Sequence, residues 1–141
     1  MSTTTAPRFS SVLETPAADP ETARRHLAAK LSLETDPSDV YADMEKGVQG
    51  FVVVDVRSPE RYAEGHVPGA LNIPHRTLRE DTTAGISKEA VVITYCDGPG
   101  CNGSTKGALR FAALGFRVKE MIGGLEWWMK DGFRVEEGNG R

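Results

Sequence analysis

Cys96 follows the apolar run Val91-Val92-Ile93-Thr94-Tyr95 and precedes a loop with almost nothing bulky in it, Asp97-Gly98-Pro99-Gly100-Cys101-Asn102-Gly103; a helix-forming stretch then begins at Ser104. A thiol at the end of a buried strand, facing a glycine-rich turn into a helix N-terminus, suits a sulfur anion. Loop N–H groups can turn inward there, and the helix dipole adds partial positive charge. Both lower a thiol pKa and stabilise whatever anion the sulfur carries. The bland alternative for Cys96 is a small core residue, since free cysteine is often fully buried. Strand-end placement and the glycine loop favour a nucleophile, with Asp97, Gly98, Pro99, Gly100, Cys101, Asn102, Gly103 and Ser104 forming the loop that binds what it carries.

Cys101 has three readings: a passive loop residue, a resolving thiol able to form a disulfide with Cys96, or the sulfur carrier itself. A second thiol beside a low-pKa one is a redox-sensor pattern. A bent loop with this gap can bring two Cα atoms into the ~4.4–6.8 Å range that a disulfide needs. His66 and His75 are isolated, and with two cysteines they do not make zinc spacing, so no metal and no cofactor is expected. Two superficially similar motifs fail on chemistry. Gly98 to Gly103 reads Gly-x-x-x-x-Gly, but Ser104-Thr105-Lys106 follows, whereas a phosphate-binding loop needs Lys directly after the second Gly. A Cys-x5-Arg phosphatase loop needs an Arg to clamp the phosphoryl group, and Asn102 occupies that position.

The chain has 141 residues, enough for one domain that buries a core without staples. A net charge of −3 argues against nucleic acid as a partner. No apolar run approaches the ~20 residues of a membrane span. Met1 to Pro7 lack a basic region followed by an apolar one, so no secretory signal is visible. The expected location is cytoplasmic, with both cysteines as thiols.

The elements that must hold the site follow from pattern. Residues 1–19, rich in Ser, Thr, Ala and Pro, are expected to be a loosely packed arm. Asp19-Pro20 starts a short helix to Ala29, and Leu31-Ser32-Leu33-Glu34-Thr35 alternates like a half-buried strand. Asp36-Pro37 opens a helix that Gly47 stops. Phe51 to Val54 reads as an inner strand, Ser58-Pro59 as a helix start, Ala70 to Ile73 as a third strand, and Val91 to Tyr95 as the fourth. Ser104 to Leu114 is a helix, Arg117 to Ile122 the fifth strand, and Leu125 to Lys130 a last helix after Gly123-Gly124. Such alternation predicts an α/β domain with a mainly parallel sheet and helices on both faces. Ligands in such sheets bind beyond the C-terminal strand ends, where Asp55, Arg57 and Cys96 all fall.

Several ordered motifs over residues 30–135 resemble the rhodanese-like single-domain sulfurtransferase family. Asp55-Val56-Arg57 is similar to that family's Asp-x-Arg after the second strand. The segment Tyr62-Ala63-Glu64-Gly65-His66-Val67-Pro68-Gly69-Ala70-Leu71-Asn72-Ile73-Pro74 resembles its most specific signature. Cys96 sits at the nucleophile position, and Gly123-Gly124 with Trp128 resembles a C-terminal Gly-Gly-x-x-x-Trp. The loop departs from the common pattern: Ser104 lies eight positions after Cys96, the usual Arg is missing and Cys101 is present, as in a Cys-x-Gly-Pro-x-Cys subgroup.

The resemblance implies a rhodanese-like domain at 30–135, with an arm and short helix before it (1–29) and a tail after it (136–141). It implies a central five-stranded sheet and sulfur transfer through a Cys96 persulfide. A small donor, thiosulfate or a polysulfide or persulfide, would supply the sulfur; cyanide, a thiol or a protein would accept it. Without the loop Arg, affinity for thiosulfate should be poorer, with Lys106 the nearest replacement cation. Asp55 and Arg57 would anchor the loops. Trp127 and Trp128 read as packing aromatics, with Trp128 also a candidate for the pocket wall. The runner-up is a module without turnover, in which the Cys96/Cys101 pair senses redox state or carries sulfur.

Overall fold

Phe51-Val52-Val53-Val54 and Val91-Val92-Ile93 are runs of residues that favour strands and want cover on both faces. In the computed structural model, which describes residues 8–139, they lie side by side in the middle of a five-stranded sheet. The elements in chain order are α1 (Pro20–Leu33), β1 (Glu34–Thr35), α2 (Pro37–Lys46), β2 (Phe51–Asp55), α3 (Pro59–Glu64), β3 (Leu71–Asn72), β4 (Val91–Tyr95), α4 (Gly103–Ala113), β5 (Arg117–Met121) and α5 (Gly124–Lys130). The strand order is β1-β5-β4-β2-β3, and every pairing is parallel. From β2 the chain crosses through α3 to one side; from β4 it crosses through α4 to the other. The crevice between the C-terminal ends of β2 and β4 is thus the place where the sheet reverses its order. Asp55 is opposite Tyr95 in that register, one residue before Cys96.

Strand periodicity assigns the two faces. Val53, Ile93 and Tyr95 pack with Val40 of α2, Tyr62 of α3, and Leu125 and Trp128 of α5. Val54, Val92 and Cys96 pack with Phe111 of α4, Phe116, and Ile73, Leu78 and Ile86. Helices therefore cover both faces, as the alternation predicts. The caps follow the sequence signals. Asp36 accepts from the Asp39 N–H at 2.8 Å, Ser58 accepts from the Arg61 N–H at 3.2 Å, and Gly47 ends α2 at φ 73°.

The expected strand over Leu31–Thr35 is corrected: α1 continues through Leu33, and only Glu34–Thr35 pairs, with β5. No residue of α1 is buried, and Leu31 and Leu33 are exposed. Their alternation therefore meets no core face, and a run of good helix formers simply continues. The chain divides into two units, residues up to Lys30 and residues from Leu31. In the first, Asp19 caps α1 by accepting from the N–H groups of Glu21 and Thr22, both at 3.1 Å. Of the expected arm, residues 1–7 lie outside the described residues, as do residues 140–141 of the expected tail. Glu136 exchanges backbone hydrogen bonds with His66, both at 2.9 Å. Among the described residues no helix is long and apolar enough to cross a membrane.

A buried ion pair fixes the sheet end on which the site is built. Asp55 is fully buried and Arg57 nearly so. The Asp55 carboxylate accepts from the Arg57 backbone N–H at 2.9 Å, from Arg57 Nη2 at 2.7 Å and from the Tyr95 hydroxyl at 2.7 Å. Arg57 Nη2 also donates to the Gly65 carbonyl at 2.6 Å, and Tyr95 Oη accepts from the Val67 N–H at 3.0 Å. Burial opposes the charge on Arg57, but the hydrogen bonds and charge of Asp55 more than offset it and raise its pKa. Burial and then Asp55 push the Tyr95 phenol up, so it stays protonated and donates. Asp55→Asn leaves the guanidinium short of its buried partner, and is expected to cost about 3–5 kcal/mol in urea unfolding. Tyr95→Phe, which strands the Val67 N–H and removes one of several hydrogen bonds to Asp55, should cost about 1–3 kcal/mol in the same measurement.

Gly124, at φ 59°, begins α5 directly beneath the loop after β4. A Cβ there would lie 2.5 Å from the Cys96 carbonyl oxygen and 2.8 Å from the Gly98 nitrogen. Those are backbone atoms and cannot step aside. Gly124→Ala is expected to destabilise by about 2–4 kcal/mol, overpacking added to a left-handed backbone. Gly47→Ala, at φ 73° with nothing within 4 Å of the added carbon, should cost only the conformational part, about 1 kcal/mol. Equal losses in the two variants would show that the close approach of Gly124 to the loop is unimportant.

Candidate active site

β4 delivers Cys96 to the crevice, and the loop that follows folds back over it. Cys96 is 5% exposed, with its side chain on the α4 face of the sheet. It is joined by a disulfide to Cys101, with Cα atoms 6.4 Å apart. Where the sequence predicts two thiols the structure holds a bonded pair, the contact that a resolving Cys101 requires. The loop is held at several points. The Cys101 N–H donates to the Gly98 carbonyl at 3.0 Å, closing a tight turn. From α5, the Leu125 N–H donates to the Cys96 carbonyl at 3.0 Å and the Glu126 N–H to the Asp97 carbonyl at 2.8 Å.

The first residue of α4 touches both sulfurs. A Cβ on Gly103 would lie 2.9 Å from Cys96 Sγ and 3.3 Å from Cys101 Sγ. The Gly103 N–H itself donates to Cys101 Sγ at 3.4 Å. The sequence reading aims loop amides at Cys96; the Gly103 amide is aimed at its neighbour instead. α4 is also pressed onto the sheet next to the site, where a Cβ on Gly107 would meet Val56 Cγ1 at 2.8 Å. Thr94, on the strand below, donates its hydroxyl to the Ser104 carbonyl at 2.9 Å.

The pair opens onto a cleft of about 270 Å³ whose walls include Gly98, Pro99, Ser104, Thr105 and Glu120. Pro99, Ile122 and Gly123 also line an adjoining, mainly apolar cleft of about 290 Å³, with Pro37 and Trp127. Glu120 is the carboxylate in the sulfur cleft, where it accepts from Ser104 Oγ at 3.0 Å and Thr105 Oγ1 at 2.6 Å. Asp97 points to the far side of the loop, toward a third cleft with Arg57 and Arg61. It accepts from Arg61 Nη2 at 2.9 Å and Arg57 Nη1 at 3.1 Å. Burial would raise the Asp97 pKa, but the hydrogen bonds from Arg61 and then Arg57 outweigh it and hold the carboxyl below its ordinary value.

Two supporting residues take other places than the sequence reading gives them. Lys106 is exposed and does not line the sulfur cleft. Its charge falls instead on His75, whose imidazole is held below its ordinary pKa by burial first, then by Arg76, Lys106 and Arg110. Trp128 is fully buried, edge-on to Tyr41 and Phe133, with its Nε1 donating to the Arg134 carbonyl at 2.8 Å. It is a core residue and not a pocket wall; the half-exposed Trp127 borders the apolar cleft. A helix as short as α5 turns consecutive side chains about 100° apart, so only one of the pair can face inward. Arg61 and Glu120 are site residues the sequence reading missed. The signal for Glu120 was its place at the C-terminal end of a strand, level with the serine and threonine that open α4.

Comparison with known proteins supports the assignment of this geometry. Residues 36–131 match the model of the rhodanese-like domain. The crystal structure of the BH2092 protein from Bacillus halodurans is 55% identical and superposes with a TM-score of 0.83, covering 84% of this chain and 87% of that one. The thiosulfate sulfurtransferase PspE of Escherichia coli is 38% identical over 74 residues, 52% of this chain and 69% of PspE. The HTH-type transcriptional regulator Rv0324 of Mycobacterium tuberculosis is 38% identical over 87 residues, 61% of this chain but only 38% of that regulator's length. With a match that spans more than half of its residues, and with a parallel five-stranded sheet presenting a cysteine at its switch point, the chain belongs to the rhodanese-like domain family.

Proposed function

We propose that the protein is a sulfurtransferase of the Cys-x-Gly-Pro-x-Cys subgroup, carrying sulfane sulfur as a persulfide on Cys96. The observation that carries this reading is the position of Cys96 at the C-terminal end of β4, bordering a cleft walled by glycines and by the first turn of α4. The relative named as a thiosulfate sulfurtransferase gives it further support. The disulfide is first opened by a thiol reductant. The Cys96 thiolate then attacks the outer sulfur of a donor, the donor's S–S bond breaks, and the remnant leaves as a thiolate. The new S–S⁻ lies at the start of α4, where the helix dipole favours negative charge. A cyanide ion or thiolate next attacks the outer sulfur and Cys96 departs as thiolate. No general base is required.

The charges around the cleft favour a persulfide, which carries one negative charge, over thiosulfate, which carries two. The cleft wall carries Glu120, the two arginines nearest the loop are turned to Asp97, and Lys106 stands outside. A dianion entering there meets a carboxylate and no guanidinium. The redox-sensing alternative draws on one specific observation, the Cys96–Cys101 disulfide; a sensor would show oxidation and reduction of the pair with no turnover of any donor.

Three measurements test the reading. After reduction and exposure to polysulfide, the intact mass of Cys101→Ser, and at first that of the wild type, should rise by one sulfur, and that of Cys96→Ser should not. Cyanide-dependent thiocyanate formation should fall about a thousandfold or more in Cys96→Ser and largely survive in Cys101→Ser. Thiocyanate formation undiminished in Cys96→Ser would exclude Cys96 as the carrier. Glu120→Gln should raise kcat/KM for thiosulfate about five- to tenfold, as a lost repulsion of roughly 1 kcal/mol at a half-solvated site requires. With a persulfide donor the same change should have a smaller effect.

A further inference from the structure

The Cys96 persulfide has a second thiol within bonding reach, and the surroundings of that thiol are built for an anion as well. Cys101 is brought to Cys96 by a turn of its own, closed by its N–H on the Gly98 carbonyl at 3.0 Å. Its sulfur accepts the Gly103 N–H at the start of α4, an eleven-residue helix. A hydrogen bond to the charged form of a thiol favours that form. The residue between the two sulfurs and the helix is a glycine that admits no side chain: a Cβ on Gly103 would crowd both, at 2.9 and 3.3 Å. The loop base cannot drift, since α5 holds the Cys96 and Asp97 carbonyls and Gly124 lies against the same backbone. Cys101 is half-buried and borders the same cleft as Cys96. The pair is therefore held together by the loop's own hydrogen bonds and does not depend on a chance encounter.

We propose that Cys101 resolves the Cys96 persulfide, so that the protein releases sulfide from sulfane sulfur at the expense of a dithiol. This rests on the persulfide reading above and adds a reductive exit to it. The Cys101 thiolate attacks Cys96 Sγ, the inner sulfur of the persulfide. The bond between Cys96 Sγ and the outer sulfur breaks, its electron pair leaves with the outer sulfur, and that sulfur takes up the proton given up by the Cys101 thiol and departs as hydrosulfide. The outer sulfur is reduced and the two cysteine sulfurs are oxidised to the disulfide seen in the structure. A dithiol reductant then attacks that disulfide, passes through a mixed disulfide, and leaves as its own cyclic disulfide, returning both cysteines to thiols. Hydrosulfide is a good leaving group for such exchange, because its conjugate acid is more acidic than an ordinary thiol. An external acceptor competes with Cys101 for the same persulfide, attacking the outer sulfur where Cys101 attacks the inner one.

The test uses the full chain, reduced with dithiothreitol, freed of reductant, and mixed with one equivalent of sodium polysulfide. Intact mass and free sulfide are followed together. The wild type should gain one sulfur, then lose it as the sulfide appears, ending two hydrogens lighter than the reduced chain. Cys101→Ser should gain the sulfur and keep it, with sulfide release at least about tenfold slower, as the loss of an intramolecular nucleophile requires, while cyanide still discharges it to thiocyanate. With excess dithiothreitol the wild type should turn over repeatedly and Cys101→Ser should lag by the same factor. A wild-type persulfide as long-lived as that of Cys101→Ser would overturn the proposal while leaving the sulfurtransferase reading intact. Wild-type rates of sulfide release from Cys96→Ser would overturn it too. A failure of both the wild type and Cys101→Ser to gain sulfur would remove the persulfide itself, and this inference with it.

Discussion

The buried carboxylate of Asp55 is the point from which the rest of the site is measured. It receives Arg57 through backbone and guanidinium, and Tyr95 through its hydroxyl, so the ends of β2 and β4 are locked in one register. Arg57 extends the lock outward to the Gly65 carbonyl and to Asp97, the residue directly after Cys96. A buried ion pair gains little stability over a well-packed apolar replacement, because desolvation consumes most of the attraction. What it supplies here is direction. An apolar contact would tolerate sliding, whereas a guanidinium with its donors shared among two carboxylates and a carbonyl fixes three segments of chain at once.

From that anchor the loop is shaped chiefly by close backbone approaches. Gly124 lets α5 begin against the Cys96 and Gly98 backbone, and Gly103 lets α4 begin against both sulfurs. The result is a cysteine that belongs to the apolar cluster of Val54, Val92 and Phe111 and also borders the cleft beside the loop. The apolar floor matters as much as the polar rim. Burial on that side disfavours a charged sulfur, so its charge is stabilised from the start of α4 and from the cleft.

Much of this is legible in sequence because it is local. The β4–loop–α4 unit, the Asp36 and Ser58 caps, and the sheet with helices on both faces all follow from short patterns, since a β-branched run, a Pro after a cap or a glycine loop carries its structural meaning within a few residues. The misreadings share the opposite property. Leu31 and Leu33 alternate as a strand would, but no face of the sheet receives them and they stay helical and exposed. Trp127 and Trp128 are adjacent, and which one turns into the core depends on the path of the chain through Phe133 and Arg134. Arg61 and Glu120 enter the site from α3 and β5, segments whose charged residues look like ordinary surface until the fold brings them to the loop.

The same long-range placement explains why the missing loop arginine is not simply replaced. Two arginines do reach the loop, but Asp97 holds both on the side away from the sulfur cleft, and its lowered pKa keeps it ionised to do so. Arg57 is committed to Asp55 as well, and could not be released to a substrate without leaving that carboxylate unpaired in the core. On the cleft side, Ser104 and Thr105 spend their hydroxyls on Glu120. Positive potential at the sulfur therefore comes from the backbone of α4, whose partial charge suits a single thiolate or persulfide and is too weak to hold a free dianion against a carboxylate. With the Gly103 N–H directed at Cys101 and Cys96 packed against the same glycine, the loop that lacks a side-chain cation holds two sulfurs at the start of one helix.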